Sequence, residues 1–411
     1  MRATRVLSAI VAAAAALSAN FSATAQPLAV RGGVVHTMAG EPIRDGVVLI
    51  RDGKIARVGP ADRVSIPRGA TVLEAEVVTP GLIDAHCVAG LAGLYNSGGQ
   101  AHDQDQLEAS SPIQPQLRAI DAYNAREELV AWLRSFGVTT IHTGHGPGAL
   151  ISGQTMLAKT VGDTVEEAMI DDAVAVAATL DPAAFGGSGA PGTRAKAMQM
   201  LRSELIKASE YRAKLEAAGD GEGPGRDLKL ETLVRVLDNE LPLMITAHRA
   251  QDIASCLRLA EEFGFTLWLD MATEAYVLTD EIRAANVPVI VHPTMYRATG
   301  EAENLSFETA ATLRDAGIEV VLQGGYEGYV PKVRVVLYEA AMAAAHGLGF
   351  ERALESITIG PARLLGIDDR VGSIERGKDA DLVLFNGDPF EYTTNVTAVI
   401  IDGEVASEIR R

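Results

Sequence analysis

Five of the eight histidines in this chain stand where they could act together. His86, His142, His248 and His292 each fall at or just past the end of a short apolar run, and His145 lies three residues beyond His142. Neutral imidazole binds metals and carries protons near neutral pH. One histidine at such a place is more often a structural hydrogen-bonder, but several arriving from separate runs predict a shared functional face. Other groups cluster near them. Asp270 ends its own apolar run, and Glu327 follows another closely. Arg249 comes directly after His248 and could pair with a substrate carboxylate, although a structural ion pair is its plainer role. Tyr296 and Arg297 follow His292. The chemistry this set predicts is water activation or proton transfer. His86, His248, His292 and Glu327 are the catalytic candidates, with Arg249, His142, His145 and Tyr296 lining a substrate pocket. Gly144, Gly146 and Gly148 make the loop around His145 pliable enough for close approach to a ligand or for a tight connection.

The elements that must position these residues alternate in type. Apolar runs at 82–86, 138–142, 173–180, 243–248, 266–270, 288–292 and 319–323 read as strands. Amphipathic stretches at 124–136, 194–218, 250–263, 273–285, 306–316 and 332–346 read as helices. Such alternation predicts a parallel sheet covered by helices. Seven of the eight strands of a closed (β/α)₈ barrel are recognisable, and residues 154–160 are the best candidate for the third. An open doubly wound sheet competes, but no Gly-x-Gly-x-x-Gly turn follows an early strand. In the barrel, every one of the four run-ending histidines lies on the C-terminal face, where active sites form. Residues 26–80 and 371–411 read differently, as short strands and tight turns. Asp52-Gly53 between two apolar runs signals a hairpin. The two ends are expected to pair into a small β-sandwich domain around a barrel at 81–370.

Residues 1–25 read as an export signal. Arg2 and Arg5 precede an Ala-rich apolar run, and Ala23-Thr24-Ala25 fits a cleavage site. Cleavage would remove two positive charges and take the formal charge from -18 to -20. That acidity argues against binding nucleic acid or anionic membrane by charge attraction. No other segment reads as membrane-spanning, so a small-molecule ligand, an exported and periplasmic setting, and a homodimer through barrel helices are the expectations. Cys87 and Cys256 are the only cysteines and are expected to remain free thiols.

Two longer motifs carry a resemblance. Pro80-Gly81-Leu82-Ile83-Asp84-Ala85-His86 stands near one end of the chain. Near the other stand Thr358-Ile359-Gly360-Pro361-Ala362-Arg363-Leu364-Leu365-Gly366, Val371-Gly372-Ser373-Ile374 and Gly377-Lys378-Asp379-Ala380-Asp381-Leu382-Val383. Together they resemble the imidazolonepropionase-like branch of the amidohydrolase superfamily, over residues 28 to 405. The resemblance implies a (β/α)₈ barrel with a small β domain, and metal-assisted hydrolysis of amide, lactam or related bonds. It also implies a divalent ion, zinc first, at His86 and His248. Several expected ligands are replaced. Val88 takes the second place of the first-strand His-x-His pair, Met271 the place of the sixth-strand histidine, and Gly325 that of the eighth-strand aspartate. The run at 173–180, in the place of the fourth strand, contains no lysine to bridge two metals. Two histidines hold zinc poorly, since catalytic zinc takes about three protein ligands. A rebuilt site would draw on His142, His145, His292, Asp270 or Glu327.

Three functions stay open: an exported hydrolase of a C–N bond in a small molecule, a relative that binds without catalysis, and an acid–base enzyme that uses no metal.

Overall fold

The computed structural model describes residues 27–93, 104–186, 189–219, 221–292, 298–326 and 332–408. The expected signal at 1–25, and Tyr296, Arg297 and Glu327, lie outside the described residues.

Four strands open the chain: β1 (Leu28–Val35), β2 (Ile43–Arg51), β3 (Lys54–Pro60) and β4 (Thr71–Pro80). β2 and β3 make the expected hairpin. Asp52 and Gly53 both have positive φ, 50° and 74°, which a two-residue type I′ turn demands. Only Gly81 separates β4 from β5 (Leu82–Cys87), so the first sheet feeds straight into the barrel.

The barrel strands follow as β6 (Val138–Thr143), β7 (Ile151–Gln154), β8 (Met156–Lys159), β9 (Met169–Asp171), β10 (Val176–Thr179), β11 (Leu243–Ala247), β12 (Leu267–Met271), β13 (Val289–Val291) and β14 (Val320–Leu322). β10 to β14 pair in order and in parallel, as do β5 and β6. Cys87 bridges in parallel to Gly325 just past β14, and the Gly325 N–H donates to the His86 carbonyl at 3.0 Å. This joins the first strand to the last in a TIM-barrel type fold with mixed α/β content.

The third position departs from expectation. The segment expected as a parallel strand at 154–160 is β7 and β8, one run bent at Thr155, and it lies antiparallel to both neighbours, β6 and β10. Loop length explains it. Only residues 144–150 separate β6 from β7, whereas a parallel return needs a crossover of about a dozen residues or more. The chain turns back at the mouth and runs down the barrel, which carries Lys159 to the opposite end.

Inside the ring, Ile83, Ala85, Leu157, Ala177, Met244, Trp268, Ile290 and Val321 form one buried cluster, with side chains from β5, β8 and β10 to β14. Outside it, helices cover the strands. Arg194–Ala218 and Ala250–Phe263 match the amphipathic pattern end to end. The first starts with the Thr193 side chain accepting from the Lys196 N–H, a cap worth about 1 kcal/mol. Both cysteines are buried free thiols. Among the described residues no helix is long and apolar enough to cross a membrane.

The chain closes with β15 (Leu382–Phe385), β16 (Val396–Ile401) and β17 (Glu404–Glu408). These join the opening strands in one seven-stranded sheet, ordered β17-β16-β15-β4-β1-β2-β3. The two ends of the chain thus pair through β4 and β15, within one hydrogen-bonded sheet. Lys159, at the foot of β8, reaches into that sheet and binds Asp379, Asp381 and Asp402. The Gly-Lys-Asp-Ala-Asp run therefore supplies two of the three acids that tie sheet to barrel.

Candidate active site

His86 departs from simple strand alternation. Ile83 and Ala85 face the inner cluster, yet the His86 ring also reaches the inner side. The β5–β6 pairing shifts register between Asp84 and Cys87, and such an irregularity re-aims the side chain beside it. His86 Nδ1 lies 3.0 Å from Asp270 Oδ1. The same oxygen accepts from Gln323 Nε2 at 2.7 Å, and Asp270 Oδ2 accepts from Thr246 Oγ1 at 2.6 Å. Below them, Asp84 Oδ1 accepts from the backbone N–H groups of His86 and Gly324, at 3.2 and 2.8 Å.

Burial opposes charge on His86, but the Asp270 and Asp84 carboxylates outweigh it, and the protonated form is favoured. Burial likewise opposes charge on Asp270, while His86, Thr246 and Gln323 bring it below the usual range. The two form a buried ion pair. Burial pushes Asp84 up to about 7 and drives His142 and His292 down to about 3, so both of those rings are neutral.

His248 follows β11 at the mouth. Its Nδ1 lies 2.7 Å from Thr273 Oγ1, and its Nε2 faces Asp181 Oδ2 at 3.7 Å. Asp181 stands just beyond β10, anchored by the Ala183 N–H at 2.7 Å. Burial raises its pKa, and His248 opposes that only in part. A gap of 3.7 Å is too long for a hydrogen bond and suits a water bonded to both groups. An open cavity of about 480 Å³ lies at the start of the helix that follows His248, lined by Arg194, Arg249, Ala250, Gln251, Glu274 and Glu301, and neither His248 nor Asp181 lines it.

The expected site residues therefore separate. His86, His248 and His292 all come to the mouth. His142 does not serve a ligand: its ring nitrogens bond the Ala85 carbonyl at 2.7 Å and Thr155 Oγ1 at 2.6 Å, and it is fully buried. Its proposed place in a substrate pocket is corrected to a core cross-link. Arg249 is also engaged, by Glu274, Glu301, Glu303 and the Gly300 carbonyl. It takes the structural ion-pair role, with its charge already met by three acids. His145 is buried against Gly153, and burial lowers its pKa to about 4. Tyr296 and Glu327 are outside the described residues. Sequence reasoning missed Asp181 as a partner for His248. The signal was a single acid directly after the apolar run at 173–180.

Gly325 explains a second replacement. It has φ of +63°, and a Cβ there would come within 2.8 Å of the His292 ring. The ring thus fills the space where an eighth-strand side chain would project. Gly325→Ala is expected to cost about 1–3 kcal/mol from backbone strain and this clash. Urea denaturation reads it, and an unchanged midpoint would contradict the packing described.

The donor set does not fit the zinc implied by the sequence resemblance. Among the described residues no three acids, histidines or cysteines are grouped to hold a metal. Both Asp270 oxygens and both His142 nitrogens are engaged, and His86, held by Asp270 at Nδ1, has only Nε2 left to offer. Val88 offers no donor, and Met271 offers only a soft thioether. Asp181 and His248 make a pair, one short of the usual three.

With this geometry in place, comparisons are informative. The Amidohydrolase family profile matches residues 326–406. An amidohydrolase of known crystal structure from Thermotoga maritima is 30% identical, with a TM-score of 0.85 over 93% of this chain and 100% of that one. An imidazolonepropionase of Sphingopyxis alaskensis is 27% identical over 88% of this chain and 92% of its own length. Amidohydrolase tasK of Hapsidospora irregularis is 26% identical over 87% of this chain, which spans only 39% of that longer protein.

Proposed function

The chain belongs to the amidohydrolase family, and from that premise, as a hydrolase of carbon–nitrogen bonds other than peptide bonds, we propose that it cleaves an amide or lactam bond of a small molecule at the barrel mouth. The observation that carries this is the pairing of His248 with Asp181 across 3.7 Å at the barrel mouth. A water bonded to both groups gives its proton to His248 as its oxygen attacks the carbonyl carbon. The C–N bond then breaks, and the imidazolium returns the proton to the leaving nitrogen, so His248 serves as base and then acid. Asp181 positions the water and balances the charge on His248. Thr273 at Nδ1 fixes the orientation of the ring. Family chemistry is typically metal-dependent, but no step here runs through a metal, because the described donors do not fit one. We further propose that residues 1–25 direct export, to a periplasm in a bacterial host, and that the substrate is a small molecule rather than nucleic acid.

The test is a hydrolysis assay of mature protein on a panel of small amides and lactams, following release of the new carboxylate. Turnover by the protein, and a lower rate in Asp181→Asn, are the expected results. A panel member that binds yet is returned unchanged would favour a binding role instead.

A further inference from the structure

Four side chains from four strand ends meet at the centre of the barrel mouth. They are His86 of β5, Thr246 of β11, Asp270 of β12 and Gln323 just past β14. By the sequence resemblance, these are the first, fifth, sixth and eighth strands, the ones at which a metal would be held. Asp270 is the hub. It is fully buried and accepts three hydrogen bonds of 2.6–3.0 Å from the other three residues. The Gln323 amide nitrogen also donates to the Ile290 carbonyl at 3.1 Å, which brings in β13.

We infer that this network has taken the place of the metal ion as the brace across the barrel mouth, and that the protein holds no divalent ion there; for where catalysis occurs, this rests on the hydrolase reading above. Three features support it. The donors aimed at Asp270 are hydrogen-bearing groups, which a cation would have to displace. An ionised carboxylate has about four acceptor directions, and three are filled. Finally, the remaining family ligand positions cannot complete a shell. Val88 has no donor, and position 325 is closed to any side chain by the His292 ring. His248 alone of the expected ligands stays outside the network, bonded to Thr273 and facing Asp181, and so is left to the chemistry.

The experiment needs no substrate. Full mature protein without a histidine tag is analysed for metals by mass spectrometry, and its thermal denaturation is followed with zinc and with dipicolinate. The expected content is below about a tenth of an equivalent, with Tm unmoved by either addition, because a site that binds only the folded state would raise Tm. Asp270→Asn is expected to lower Tm by several degrees, equally with and without zinc. Should that variant fail to fold, Thr246→Val removes one hydrogen bond and is expected to lower Tm by less, again independently of zinc. Near-stoichiometric metal, or a Tm that falls with dipicolinate and recovers with zinc, would overturn the inference. That outcome would leave the hydrolase reading standing, whereas absence of turnover across the amide panel would defeat the hydrolase reading alone.

Discussion

His248→Ala is expected to lower kcat by about 10²–10⁴-fold, the usual worth of a positioned general base, while KM changes little. The side chain stands at the open mouth with its Nε2 towards Asp181, and its backbone is held separately, through the Glu274 N–H donating to the His248 carbonyl at 2.9 Å. Truncation therefore removes the proton carrier without unpicking the strand end. Asp181→Asn should fall between the variant and the parent, since an amide still bonds water but cannot balance an imidazolium. His86→Ala should behave differently. Its ring belongs to the buried pair with Asp270, so the main loss is stability, visible in denaturation before it is visible in kcat. Steady-state kinetics on all three separates the roles. An unchanged kcat in His248→Ala would place the chemistry elsewhere on the mouth.

Lys159→Met is expected to cost about 3–5 kcal/mol of folding stability, as breaking a buried ion pair from one side does. Lys159, Asp379 and Asp381 are nearly inaccessible to solvent, and without the ammonium two buried carboxylates lose their counter-charge. Lys54 and Arg370 still reach Asp379, so Asp381 suffers most. Burial already raises Asp381 to about 6, against the pull of Lys159. A carboxyl raised in the folded state contributes most below its unfolded range, and that contribution is lost as pH rises through about 6. The penalty for Lys159→Met should accordingly be larger at pH 8 than at pH 5, where Asp381 takes up a proton. Urea denaturation at the two values checks both size and direction. Equal penalties would mean that Asp381 does not feel the lysine.

The barrel was legible because its apolar runs and amphipathic stretches keep their periods. Arg194–Ala218 and Ala250–Phe263 emerge with the ends that the pattern predicts. The third position was not legible from periodicity, because strand alternation reads the same in either direction. Loop length alone carried the sign. The helices Leu228–Leu237, Phe350–Glu355 and Ile359–Leu364 were missed. The last two are barely two turns each, too short for a period to show. In the site, His86 and His248 were legible from their place at strand ends. Their partners were not, since Asp270 and Asp181 declare themselves only when β12 and β10 are set beside β5 and β11. His142 and Arg249 show the reverse case. Their types suited a pocket, but Thr155 and three glutamates had already claimed them.

Turnover by metal-stripped protein brings these threads together. Mature protein would be dialysed against dipicolinate, verified free of zinc, manganese and iron, and assayed on whichever amide or lactam the panel identifies. Hydrolysis at the untreated rate, neither raised by added zinc nor lost in the chelator, is the result predicted by a His248–Asp181 site braced by Asp270. Activity that disappears on stripping and returns with zinc would contradict it.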